Sequence, residues 1–213
     1  MIHRMRRFLR NTRGTQAIEF VIVAPIFLIL ILGVVEVGRY ILVQQKVSKT
    51  AYAINDIVSQ FRDVDKQTVN DLFILARDTM HPFTIDGTDR VNGIIISATN
   101  NVPPPPDNND LPPGTRITWQ IANKQGMTSQ IGAEGAAPNF KGVTDSGFDL
   151  DLGEGAFVVE VSYTYNPVFA PSTFMNYLTG ARELNHNSII RYRKGGLIPI
   201  LSTKTEEETS SKK

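Results

Sequence analysis

Hydrophobic positions change their spacing twice along the chain. Residues 20–35 are apolar almost without interruption, Pro25 and Gly33 being the exceptions. A helix that is apolar all round lies in lipid or in a core. The stretch 17–35 is close to the roughly 20 residues that span about 30 Å of hydrocarbon at 1.5 Å per residue. From Tyr40 the apolar positions thin to Val43, Val47, Ala51, Ile54, Val58 and Phe61, one stripe at helical spacing. Gln44, Lys46, Ser48, Lys49 and Asn55 fall on the opposite face, which is expected to be wet. No turn signal separates the two patterns. One long helix is therefore expected over 15–62, transmembrane over about 17–38 and amphipathic beyond. Its outer stripe packs most simply on the chain's own domain, with neighbouring subunits as the alternative.

Beyond this helix, Asp65 is placed to cap a second one over 66–79, with Val69, Leu72, Phe73 and Ala76 on one face. His81-Pro82 should end it, because the residue before a proline disfavours the helical region. The period then switches to two. Strands are expected at 91–99, 115–122, 156–165 and about 184–193. In the third, Phe157, Val159, Val161, Tyr163 and Tyr165 alternate with Val158, Glu160, Ser162 and Thr164. One covered and one wet face suits an antiparallel sheet lying on the long helix. The fold class is α+β, with an extracytoplasmic domain over 63–201. Between strands lie the stiff prolines 103–106 and a Gly-rich loop over 126–155, long enough to be either functional or mobile. The tail 202–213 has no apolar residue and is expected to be disordered.

Charge adds an orientation. Arg4, Arg6, Arg7, Arg10 and Arg13 precede the apolar run, whereas Arg39, Lys46 and Lys49 follow it. The positive-inside bias puts the N-terminus in the cytoplasm and residues after about 38 outside. Glu19 is the last charge before the run, five residues beyond Gly14. A carboxylate inside hydrocarbon costs on the order of a few kcal/mol unless it is paired or snorkels, so a plain membrane anchor gains nothing from it. A cleaved secretory signal fits worse, since the A-x-A of Ala51-Tyr52-Ala53 lies well past the apolar core. Cleavage after Gly14 gives Glu19 a use, because the freed Thr15 amine needs a counter-charge. Loss of residues 1–14 would remove five of the 22 Lys+Arg and none of the 21 Asp+Glu, leaving a mildly acidic chain near −4. Such a surface has no basic footprint for nucleic acid. Farther along, the i,i+3 spacing of Glu36 and Arg39 suits an ion pair at the outer membrane boundary. The alternative is two charges that only mark the water line.

Catalytic chemistry is close to absent. There is no cysteine, which removes disulfides, thiolate metal sites and thiol nucleophiles. His3, His81 and His186 share no ligand spacing, and no glycine-framed serine appears. Residues 149–154 faintly resemble the start of a calcium loop without its full oxygen spacing. Trp119, the single tryptophan, is expected as a core anchor. No enzyme activity, cofactor or metal is expected.

Three segments carry a family resemblance. Arg13-Gly14-Thr15-Gln16-Ala17-Ile18-Glu19-Phe20, Ala24-Pro25-Ile26-Phe27 and Val34-Val35-Glu36-Val37-Gly38-Arg39 resemble the TadE/TadF minor pilins, or pseudopilins, of the tight-adherence (Flp-type) pilus. Ile117-Thr118-Trp119-Gln120 and Val159-Glu160-Val161-Ser162-Tyr163 resemble strands of that family less specifically. The resemblance implies a leader of residues 1–14 cut between Gly14 and Thr15 by a prepilin peptidase, with Glu19 fifth in the mature chain. It also implies a bacterial inner-membrane subunit that meets other major and minor pilins and the pilus assembly platform. The chain is longer than a major Flp pilin and shorter than the related TadG-like proteins. The rival reading is an uncleaved single-pass envelope protein whose outer domain binds a ligand or partner.

Overall fold

A computed structural model describes residues 12–85, 92–102, 114–142, 147–169 and 181–199. The basic residues before position 12 with His3, the start of the first strand at Val91, the prolines at 103–106 and the tail 202–213 lie outside the described residues. Helix α1 (Thr12–Val58) runs unbroken through Pro25. Helix α2 (Lys66–Met80) follows, then strands β1 (Gly93–Val102), β2 (Gly114–Ala122), β3 (Gly155–Tyr165) and β4 (Arg182–Arg191). The strands form one antiparallel sheet in the order β2-β1-β3-β4. This is the expected α+β arrangement of a long N-terminal helix and a four-stranded antiparallel sheet.

The chain divides into two compact units, Met1–Leu42 with Pro167–Gly180, and Val43–Asn166 with Ala181–Lys213. In the first, the side chains of α1 are largely exposed, Phe20 at 72% and Val34 at 73%. Among the described residues α1 is the one helix long and apolar enough to cross a membrane.

In the second unit the expected stripe is a core. Val43, Val47, Ala51, Ile54 and Val58 are all 2% exposed or less, whereas Phe61, past the helix end, is 39% exposed. The stripe therefore stops at Val58. Asn55, expected on the wet face, is fully buried. Its Nδ2 donates to the carbonyls of Phe157 and Ser188 at 3.2 and 2.6 Å, which satisfies strand groups that water cannot reach. Helix α2 starts as its sequence dictates, Asp65 accepting the Thr68 N–H at 2.7 Å. It ends at Met80, one residue short of His81-Pro82.

Register assigns the faces of the sheet. Phe157, Val159 and Val161 pair with Ala98, Ile96 and Ile94 on β1. That face meets α1, through Asn55 to Ser188 and Ser48 to His186. Trp119 joins it, edge-on to Phe157 at 5.9 Å, and donates from Nε1 to the Pro199 carbonyl. The opposite face was expected to be wet, and its middle is dry instead. Val158 is fully buried and Glu160 is 3% exposed, because residues 126–142 fold back over them. Ile131 from that segment packs with Ile117 and Val158, flanked by Phe140 and Ile189. The segment is also stitched to the β2 edge, where Gly135 N–H donates to the Ile117 carbonyl and Ile117 N–H to that of Ala136. The first part of the Gly-rich loop is thus a second cover for the sheet.

Candidate functional site

Gly14, Thr15 and Glu19 all lie within α1. Gly14 is exposed, and a Cβ built there would meet nothing within 4 Å. A glycine inside a helix costs roughly 0.5–1 kcal/mol relative to alanine. Among the described residues nothing packs on position 14 to offset that cost. Gly33 and Gly38 are equally unopposed. Glu19 is exposed, and among the described residues no hydrogen bond or ion pair is recorded at its carboxylate. Four residues separate it from Thr15, a rise of about 6 Å along the axis. The structure thus leaves Gly14 and Glu19 exposed on one helix, with no described residue making use of either.

Glu36 and Arg39 behave differently from each other. Arg39 is half-buried. Glu36 is 1% exposed, and its carboxylate accepts the backbone N–H groups of Val168 at 3.2 Å and Phe169 at 3.3 Å. Arg191 pairs with Glu154 and Arg193 with Asp56, whereas Glu36 turns to the backbone. Instead of facing its helical neighbour, the carboxylate seats itself in two main-chain donors from residues 168–169. A buried carboxylate needs such partners to offset its lost hydration. Spacing along the helix showed only Arg39 as a partner. Donors supplied by the backbone leave no trace in side-chain pattern.

A second buried carboxylate lies in the sheet. Glu160 Oε1 accepts the Gln130 N–H at 2.7 Å, and Oε2 accepts the Ser129 hydroxyl. Burial raises its pKa above the ordinary carboxylate value, an effect that the bonds from Ser129, Gln130 and Ile131 oppose. His186, on the other face, bonds Ser48 Oγ through Nδ1 at 3.2 Å and stands edge-on to Tyr52. Burial lowers its pKa. No group of three or more His, Asp or Glu that could hold a metal occurs among the described residues. In the 149–154 stretch, Glu154 is occupied by Arg191, which also donates to the Asp149 carbonyl at 2.9 Å and stacks over Phe148.

The residues that the chain leaves unused, Gly14, Glu19, Gly33 and Gly38, all belong to the exposed N-terminal part of α1. No curated protein and no solved structure matches the chain. Residues 14–54 match the model of a family described as TadE-like protein, and the chain therefore carries a TadE-like segment that opens at Gly14 and ends at the core residue Ile54.

Proposed function

We propose that this protein is a minor pilin or pseudopilin of a tight-adherence type IV pilus, cut after Gly14 by a prepilin peptidase and used in pilus initiation or assembly for adhesion. It sits in a bacterial inner membrane with its N-terminus cytoplasmic and residues beyond about 38 outside. Its partners are other major and minor pilins and the assembly platform, and its role is assembly rather than catalysis. The observation that carries this reading is the open surface at Gly14 and Glu19, at the start of the TadE-like segment. A glycine with no packing role and a carboxylate with no recorded partner suit recognition by other proteins. Cleavage makes the Thr15 amine a cation at a helix N-terminus, where four backbone N–H groups already lack intrahelical acceptors. Glu19 of the same or a neighbouring subunit then supplies the counter-charge where the dielectric falls.

N-terminal sequencing of the protein purified from membranes containing a prepilin peptidase tests it. The mature chain should begin at Thr15. Gly14→Arg should leave folding intact, since the site is open, and abolish the cut. A native-host protein still beginning at Met1 supports the uncleaved envelope protein instead.

A further inference from the structure

The loop that covers the second sheet face stops short of its end, and the uncovered remainder is a cleft. On β3 and β4, Ser162 lies opposite Asn185, Glu160 opposite Asn187 and Thr164 opposite Glu183. Paired residues share a face, so these six form a ladder of hydrogen-bonding side chains. Residues 129–131 close over Glu160, while Ser162, Asn185 and Glu183 stay open and become a floor. Gly126, Met127, Thr128 and Gln130 form the wall, and the space between is about 290 Å³. Gly93 lets the wall approach, because a Cβ there would run into the Met127 sulfur and the Asn123 side chain.

Lining chemistry selects the ligand. Among the described residues no Lys, Arg or His lines the cleft, which disfavours an anion. Gln130 Oε1 accepts from Asn187 Nδ2 at 2.7 Å, which leaves the amide one lone pair and its NH2 donors, so it too can both donate and accept. A single carboxylate gives a metal cation too few charged oxygens, and no group of three or more His, Asp or Glu that could hold one occurs among the described residues. Thr128 and Ser162 hydroxyls and the Asn185 amide both donate and accept, and the exposed Glu183 carboxylate accepts. Below them Asn187 Oδ1 is buried with no hydrogen-bond partner. A mixed set of neutral donors and acceptors around one carboxylate matches adjacent hydroxyl groups, each of which does both.

We infer that this cleft binds a neutral polyhydroxylated ligand, one sugar unit deep, with Gln130, Ser162, Glu183 and Asn185 making the polar contacts. The site lies wholly in the second compact unit and stands whether or not the chain is cut at Gly14. Lacking an aromatic platform, it should hold a single sugar with affinity of roughly millimolar order.

The test titrates the full chain in lipid nanodiscs, free of sugar-headed detergent, with methyl β-glucopyranoside, methyl β-galactopyranoside, N-acetylglucosamine and, as a cation probe, methylammonium. Amide shifts of Thr128, Ser162 and Asn185 should saturate with at least one sugar. Asn185→Ala and Glu183→Gln, both at exposed positions, should each weaken that sugar by about two- to tenfold, as expected for one lost hydrogen bond. Their melting curves should match the parent's. No saturable shift with any sugar overturns the inference. So does sugar binding that both variants leave unchanged, or methylammonium binding tighter than every sugar.

Discussion

At the scale of single residues, two buried carboxylates do structural work through the backbone. Glu160 holds residues 129–131 over the sheet, and its pH behaviour follows from its surroundings. Its folded pKa is raised, so the folded state binds the proton more tightly than the unfolded chain. The stability this adds is complete below the ordinary value of 4.5 and is lost as pH rises through the folded value. Glu160→Gln keeps the shape and cannot ionise. Relative to the parent, its urea midpoint should improve as pH rises through that window and should converge with it in acid. Glu160→Ala should instead lose about 1–3 kcal/mol at any pH, because the Gln130 N–H and the Ser129 hydroxyl both lose their acceptor. Glu36 calls for a different readout, since what it orders is the backbone at 168–169. In Glu36→Ala, hydrogen exchange at the Val168 and Phe169 amides should quicken at least about tenfold, the factor that goes with about 1.4 kcal/mol. Unchanged exchange would mean that other contacts hold that segment.

Among the elements, α1 is one helix with two solvents. Its outer stripe is core, and Ile54 is fully buried there. Ile54→Ala should cost about 2–5 kcal/mol, the usual range for such truncations, and Ile54→Asp more, since it buries a charge. Phe61→Ala should stay within about 0.5 kcal/mol, as surface changes generally do. Trp119, 4% exposed against Phe157, is a built-in fluorescence reporter for both melts. Strand β2 shows how one residue redistributes an element. Ala98 pairs with Trp119 and Thr99 with Ile117, so Thr118 is an extra residue, a bulge. Trp119 and Ile117 would share a face under strict alternation. The bulge sends Trp119 toward Phe157 and Ile117 toward Val158 and Ile131, anchoring one core on each side of the sheet.

For the molecule as a whole, the proposed assembly role makes a prediction that folding alone does not. Glu19 has no recorded partner among the described residues, so Glu19→Gln should leave membrane insertion and melting unchanged. If it pairs with a Thr15 amine during assembly, the mutant should be processed normally yet copurify poorly with pilins and reduce piliation. Accumulation of uncut Glu19→Gln would make the carboxylate a recognition element for the peptidase instead. Normal cleavage with normal piliation would end the pairing idea.

Local features were legible in the sequence because their causes are local. Helical period joined residues 15–62 into one helix to within a few residues. Asp65 marked the start of α2, alternation marked β3, and apolar length marked the candidate membrane span. Gly14 and Glu19 stood out for the same reason, as residues at odds with the pattern around them. What the sequence could not decide was which polar residues would be dry. Asn55, Glu36 and Glu160 all read as water-facing, and each is buried by partners 30 or more residues away. Polarity records what a side chain needs, a hydrogen bond. Only the tertiary structure decides whether water or a distant stretch of backbone provides it.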